Sequence, residues 1–408
     1  MANKSIVMIV DGMGDLPVPG LHGKTPLEAA FTPNLDRLAS GGLYGQIDPI
    51  APGVTPNTDS GTGMLMGMRA EHADRLRRGP VEAAGAGCIL RNGDVAMRAN
   101  FASVRVDDGQ LLVTDRRAGR IEHAVPELIE ILSGVESPGD IQLQLRPTDQ
   151  HRAVLVVSGE GLDANISDTD PGDEILPAPL LRSQALQPQA QLTANILNDF
   201  LESVHEVLAG HELNRRRILQ GKLPANALIT RGAGAAMAID NLISGGDLSA
   251  AVVSGCNTVR GLGRLFGFDI INHAGFTAKN DTDMDAKIQS AISALDRHDI
   301  VFVHLKAPDL CAHDQDPLAK MDVLERFDAS LSPLLEHDFV IACAADHSTD
   351  SNTGKHTADP VPSLIYRPGI DQPFAGIKFG ESACRHGNMD RQSSSQFLER
   401  VLDAMRGS

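Results

Sequence analysis

The 408-residue sequence contains no tryptophan, only two tyrosines and five cysteines, and no apolar run long enough to cross a bilayer. With so few aromatics, its basic residues form no aromatic-interleaved stripe, which argues against a nucleic-acid module. The formal net charge of −17 argues the same way, because such a surface repels a phosphate backbone. A small anionic substrate stays open, since local arginine and metal charge dominate a pocket. Cys88, Cys256, Cys311, Cys343 and Cys384 are scattered and odd in number, without the close pairing of a thiolate zinc site. Most of them read as core thiols of a reducing compartment. The first apolar run, residues 6–10, stops at Asp11 with no signal-peptide cleavage pattern after it, so a cytoplasmic protein with no membrane association is expected.

What is present fits an α/β enzyme: 42% hydrophobic residues, abundant glycine, and a length that allows two domains. Residues 6–10 read as a buried parallel strand ending at Asp11-Gly12. A short helix is expected over 34–40, and another beginning near Thr58 after the Pro/Gly-rich loop 49–56. Residues 95–106, 110–114, 140–146 and 151–157 alternate like strands, and 122–132 like a helix. From 191 the helix–strand rhythm returns, with a helix over 192–208 and strands over 227–230, 250–254, 300–305 and 339–345. A helix over 287–295 and a covering helix over 394–405 complete the pattern. The expectation is a doubly wound α/β core over 1–67 and 191–408, with a smaller α+β domain, 68–190, inserted into it.

Three separated elements carry metal-ligand chemistry. Asp11 ends the opening strand, Asp309 and His313 follow strand 300–305, and Asp346-His347 end strand 339–345, with His356 nine residues further on. If 309–313 is helical, Asp309 and His313 share a face, because side chains at i and i+4 stack. Each fragment alone is a plausible cap or ion pair. Together at strand ends they point to one split metal site. Carboxylates and imidazoles suit Mn²⁺ or Zn²⁺, and Mg²⁺ less well. The segment 57–63, Asn-Thr-Asp-Ser-Gly-Thr-Gly, supplies a hydroxyl nucleophile at a helix N-terminus that favours a phosphoryl group. Residue type does not choose between Thr58 and Ser60. The segment lacks the closing Gly-Lys-Ser/Thr of a P-loop.

At these residues the sequence resembles the archaeal-type 2,3-bisphosphoglycerate-independent phosphoglycerate mutases of the alkaline phosphatase superfamily. The resemblance runs from DGMGD at 11–15 through KTPLEAAFTPNLDRLA at 24–39, GPVEAAGAG at 79–87, DRRAGRI at 115–121 and VFVHLKAPDLCAHD at 301–314. It continues to ADHSTDSNTGKHTADPVPSLIY at 345–366. It implies two divalent metal ions, one held by Asp309, His313 and His356, the other by Asp11, Thr58, Asp346 and His347. It selects Thr58 as nucleophile, at a position where the family places serine; Thr62 stands where the family segment ends in histidine. It further implies an inserted substrate-binding lid, with Arg116 and Arg120 as phosphate or carboxylate clamps, and Arg231, outside that insert, as another anion contact. Asp168 and Asp170 would contact hydroxyls or order the lid, Lys306 would approach the phosphate, and Asn57 is a further substrate contact beside Thr58. The implied reaction interconverts 3-phosphoglycerate and 2-phosphoglycerate through phosphothreonine, on a small phosphorylated carboxylic acid. The alternatives are a phosphatase, phosphonate-type hydrolase or specialised phosphotransferase on another metabolite, and, in a different class, a catalytically degenerate metal-binding regulator. The sequence is silent on oligomeric state.

Overall fold

The computed structural model describes residues 3–73, 75–121, 123–172, 174–237, 239–246, 248–368 and 376–407. The chain forms two compact units, Met1–Leu76 with Ile239–Ser408, and Arg77–Ala238. The division falls later than expected at both joints, near 76 and 238 rather than 67 and 190. Met68 bridges to Asn241, whose side-chain amide donates to the Met66 carbonyl at 2.9 Å, so residues just past 67 stay with the first unit. The larger shift comes from the helix Gln191–Ala209. Its apolar stripe, Ile196, Leu197, Phe200, Val204 and Leu208, buries against Phe101, Leu128 and Leu155 of the inserted unit. The strand Ala227–Ala235 also belongs there, paired with Val95–Asp107.

The first unit is built on an eight-stranded sheet. Its centre is the strand Ser5–Val10, flanked in parallel by Ile300–Leu305 and Val340–Ala344. All three are buried along their whole length, which explains their unbroken apolar reading: a parallel strand covered on both faces has no solvent side to alternate with. Ala250–Val253 and Asp269–Ile271 extend the parallel set on one side. On the other side Val361–Tyr366 runs antiparallel to Val340–Ala344, followed by Leu43–Asp48 and Met389–Ser393. The register pairs Val10 with Leu305 and Ile9 with Ala344, so the three central strands end side by side. The residues just beyond them supply Asp11, Lys306 and, after Ala345, Asp346-His347. No helix among the described residues is long and apolar enough to cross a membrane.

The inserted unit is an antiparallel sheet with helices against it. Val95–Asp107 pairs with Gln110–Asp115, Arg152–Ser158 and Ala227–Ala235, and Gln142–Pro147 pairs with Arg152–Ser158. Val125–Leu132 and Gln191–Ala209 bury their apolar stripes in its core.

Candidate functional site

In the first unit the expected ligand residues converge. Asp11 is fully buried, and the left-handed Gly12 after it lets the chain turn tightly: a Cβ there would lie 2.9 Å from Asp309 Cα. Ala307–His313 is a helix, which sets Asp309 and His313 one turn apart. Lys306 Nζ reaches Asp309 Oδ2 at 2.7 Å, Asp11 Oδ2 at 2.9 Å and Thr58 Oγ1 at 3.0 Å. His347 Nε2 lies 3.2 Å from Asp11 Oδ1, 3.5 Å from Thr58 Oγ1 and 3.6 Å from Asp346 Oδ2. Asp346 also accepts from Gly12 N at 3.2 Å and from the Thr62 hydroxyl at 2.9 Å.

The ring nitrogens are oriented by partners that leave one side of each imidazole turned into the site. His313 Nδ1 donates to the Gly354 carbonyl at 2.7 Å and His356 Nδ1 to the Pro56 carbonyl at 3.0 Å. In neutral rings their Nε2 atoms would both present lone pairs, 3.2 Å from each other and each 3.4 Å from Asp309 Oδ1. Two acceptors and a carboxylate oxygen at those separations suit a cation among them. Thr349 donates to Asp309 Oδ1 at 2.8 Å and accepts from His347 Nδ1 at 3.0 Å, which turns His347 Nε2 toward the carboxylates. The donor atoms form two groups, Asp11/Asp346/His347 and Asp309/His347/His356, with His347 common to both. Hard oxygens and imidazoles without thiolate suit divalent cations, so the residues present fit the metals the sequence implies.

The electrostatics agree. Burial alone would raise the carboxyls of Asp11 and Asp309, but the Lys306 ammonium holds both below the usual carboxylate range. Burial opposes the charge of Lys306, and Asp11 and Asp309 override it and raise the amine. Asp346 goes the other way, pushed up by burial and then by Asp11. His347, despite burial, is pushed up to about 9 by Asp346, Asp11 and Asp309. Such an excess of buried negative charge attracts further cations.

Thr58 is the first residue of the helix Thr58–Leu65 and is buried. Ser60, the competing hydroxyl, is occupied locally, accepting from Asn57 N and donating to Asn57 O, both at 3.1 Å. Asn57 itself is exposed, at the helix N-cap.

The other predicted contacts lie in the inserted unit. Arg116 grips Asp170 with two parallel bonds, 2.6 and 2.8 Å. Asp168 accepts from Gly232 N at 2.8 Å and is raised mainly by burial. Arg231 is lowered by burial and then by the charges of Arg78, Arg116 and Arg152 beside it. Buried Arg98 is lowered well below the usual range by burial, then by Arg152 and Arg78. His151 is pushed down to about 2 by burial, then by the charges of Arg152 and Arg98, and after these by Arg117 and Arg120. Among the described residues, the Nε atoms of Arg152 and Arg231 are buried without a hydrogen-bond partner. In a chain of net charge −17, this is a concentrated cluster of guanidiniums, a residue type suited to anions. Thus Arg116, Arg120, Asp168, Asp170 and Arg231 are gathered in one unit, and Lys306 lies with the metal-type donors of the other.

Sequence reasoning passed over His304, whose Nε2 lies 3.0 Å from Asp11 Oδ2, and the orienting Thr349. A lone histidine in the apolar run 300–305 was the signal for the first. Arg78 and Arg98 were also passed over, with no shared local motif to mark them, and the pair His151-Arg152 had only weak support from the sequence.

Comparisons with known proteins bear on the same residues. The family model of 2,3-bisphosphoglycerate-independent phosphoglycerate mutase matches residues 39–214. A protein of that name from Methanopyrus kandleri is 41% identical over 90% of this chain and 88% of its own length. Another from Archaeoglobus fulgidus is 39% identical over 98% and 97%. Among solved structures, a Pyrococcus horikoshii protein superposes with TM-score 0.81 at 30% identity, covering 100% of this chain and 98% of its own. The cofactor-independent phosphoglycerate mutase of Thermoplasma acidophilum gives 0.66 at 32% identity, covering 99% and 100%. With this identity sustained along nearly its whole length, the chain belongs to the 2,3-bisphosphoglycerate-independent phosphoglycerate mutase family.

Proposed function

We propose that this protein is a metal-dependent phosphoglycerate mutase that interconverts 3-phosphoglycerate and 2-phosphoglycerate through phosphorylated Thr58. The carrying observation is the placement of Thr58 Oγ1, 3.0 Å from Lys306 Nζ and 3.5 Å from His347 Nε2, at a helix N-terminus beside both donor groups. Thr58 Oγ attacks phosphorus, and the bond from phosphorus to the C3 oxygen breaks. The proton lost by Thr58 is balanced by the one the C3 oxygen takes up, leaving glycerate. The C2 hydroxyl then attacks the same phosphorus, Thr58 Oγ departs and regains a proton, and the net change is an isomerisation. Lys306 offsets charge on Thr58 Oγ in both steps, and the helix N-terminus favours the phosphoryl oxygens.

Asp11, Asp346 and His347, with Thr58, hold one divalent ion in this reading, and Asp309, His313 and His356 the other. Bound there, the ions supply Lewis-acid charge that favours ionisation of an alcohol and spreads charge in the transferring group. Three histidines favour Mn²⁺ or Zn²⁺ over Mg²⁺. The guanidinium cluster around Arg116 and Arg231 recognises the anionic groups of the substrate, with Arg120, Asp168, Asp170 and Asn57 as further contacts. Five free thiols suit a reducing cytoplasm. The test is ³¹P NMR of Mn²⁺-reconstituted protein with 3-phosphoglycerate. The expected result is 2-phosphoglycerate without inorganic phosphate. Phosphate release with no 2-phosphoglycerate overturns the mutase reading in favour of a phosphatase.

A further inference from the structure

Behind Asp11 stands a chain of buried polar groups that the mechanism above does not use. Ser254, at the end of the strand Ala250–Val253, accepts from Cys256 N at 3.0 Å. Its Oγ lies 3.3 Å from His304 Nδ1, and His304 Nε2 lies 3.0 Å from Asp11 Oδ2. Ser254, His304 and Asp11 are respectively 2%, 1% and 0% exposed, so no water competes for these bonds. The Lys287 ammonium donates to the His304 carbonyl at 2.8 Å and fixes the backbone at the same point.

We infer that His304, set by Ser254, is a positioning residue that aims the Asp11 carboxylate at the metal. The inference rests on the reading of Asp11 as a ligand. The direction of each bond follows from the donor inventory. A carboxylate accepts only, so His304 Nε2 carries the hydrogen. Nδ1 is then an acceptor, and the Ser254 hydroxyl supplies its hydrogen while its lone pair takes Cys256 N–H. The serine therefore supports the imidazole tautomer that the carboxylate requires, and the imidazole, beside Lys306, holds Oδ2 so that Oδ1 faces His347 Nε2. Partners of this kind, one step behind a ligand, typically change metal affinity by roughly 10–100-fold when removed.

The experiment measures Mn²⁺ binding to metal-stripped protein by calorimetry, with unfolding followed in EDTA as a separate readout. The variants are Ser254→Ala, His304→Gln and His304→Asn, with Asp11→Ala as the control. A glutamine amide reaches the place of Nε2 and keeps the donor to Asp11, whereas an asparagine amide reaches only the place of Nδ1. The expected result is a dissociation constant for one of the two ions raised about 10-fold or more in Ser254→Ala and His304→Asn. His304→Gln should stay within a few-fold of wild type, and the second ion should be unaffected. Equal affinities in the glutamine and asparagine variants, or an unchanged Ser254→Ala, overturn the positioning role. If Asp11→Ala itself binds both ions like wild type, the reading of Asp11 as a ligand fails, and the inference with it. Should His304→Asn not fold, the Ser254→Ala measurement decides alone.

Discussion

The turn that carries Asp11 is tied to the segment that carries Asp346 by a buried ion pair, and breaking that pair should cost both stability and metal binding. Lys320 Nζ lies 2.7 Å from Asp15 Oδ2, and both side chains are fully buried. The same ammonium donates to the Gly14 carbonyl at 3.1 Å and the Thr349 carbonyl at 3.2 Å. At an effective dielectric of about 20 the pair attracts by about 6 kcal/mol, and desolvation takes back several of these. Lys320→Met keeps the volume but strands the Asp15 carboxylate. That carboxylate retains Leu16 N at 2.8 Å, Ser351 N at 2.9 Å and the Ser351 hydroxyl. Three neutral donors soften the loss, which places the expected cost near the low end of the range for a broken buried pair, about 3 kcal/mol. For a unit of this size that lowers Tm by roughly 6–12 °C. With no tryptophan in the chain, far-UV circular dichroism or calorimetry is the suitable probe. Lys320→Met combined with Asp15→Asn should recover part of the loss, giving a coupling energy of about 1–3 kcal/mol. A cost under about 1 kcal/mol in the single variant, or strict additivity, would refute the reasoning.

Three further outcomes follow from separate features. A Cβ on Gly61 would lie 2.0 Å from the Asp346 carbonyl oxygen, so Gly61→Ala must push the Thr58 helix from Asp346. Turnover should fall roughly 100-fold, as expected for a displacement near 1 Å, and a variant as active as wild type contradicts the packing argument. Burial raises the Glu381 carboxyl to about 7. Its folded pKa lies above its unfolded one, so its stabilising contribution is present below about pH 4.5 and is lost as pH rises through about 7. Glu381→Gln should therefore match wild type at pH 4 and exceed it by at most about 3 kcal/mol at pH 8, while a pH-independent difference sinks the assignment. Finally, Arg231→Leu ends a burial cost and the repulsion from Arg78, Arg116 and Arg152, which together outweigh the attraction of Asp170. Without added anion it should unfold no lower than wild type, yet lose most of the Tm increase that sulfate, compared with chloride at equal ionic strength, gives wild type. An undiminished sulfate effect argues against Arg231 as an anion ligand.

The candidate ligand residues were legible because buried parallel strands read as unbroken apolar runs, and a polar residue ending such a run marks the edge of the sheet. Asp11 and Asp346 stand out for that reason, and Asp309 and His313 by their helical spacing. The far boundary of the inserted unit was not legible. The stripe of Gln191–Ala209 states that one face is buried, and nothing local states that Phe101 and Leu155 cover it. His304 was hidden because a histidine inside a strand looks like any satisfied core histidine until the register sets it beside Asp11. The guanidinium cluster was only partly visible: Arg98, Arg152 and Arg231 lie on strands whose pairing, not their spacing, gathers them. Residue type did not separate Thr58 from Ser60; the family resemblance chose Thr58, and the bonds of Ser60 to Asn57 agree with that choice.

The central claim is that phosphate passes through Thr58, and rapid-quench labelling tests it directly. Mn²⁺-reconstituted protein is mixed with [³²P]3-phosphoglycerate, quenched in milliseconds and digested, and the labelled peptide is sequenced. The account predicts transient label on the peptide containing residues 57–63, assigned to Thr58, and neither label nor turnover in Thr58→Ala. Label on Ser60, or full mutase activity in Thr58→Ala, would contradict it.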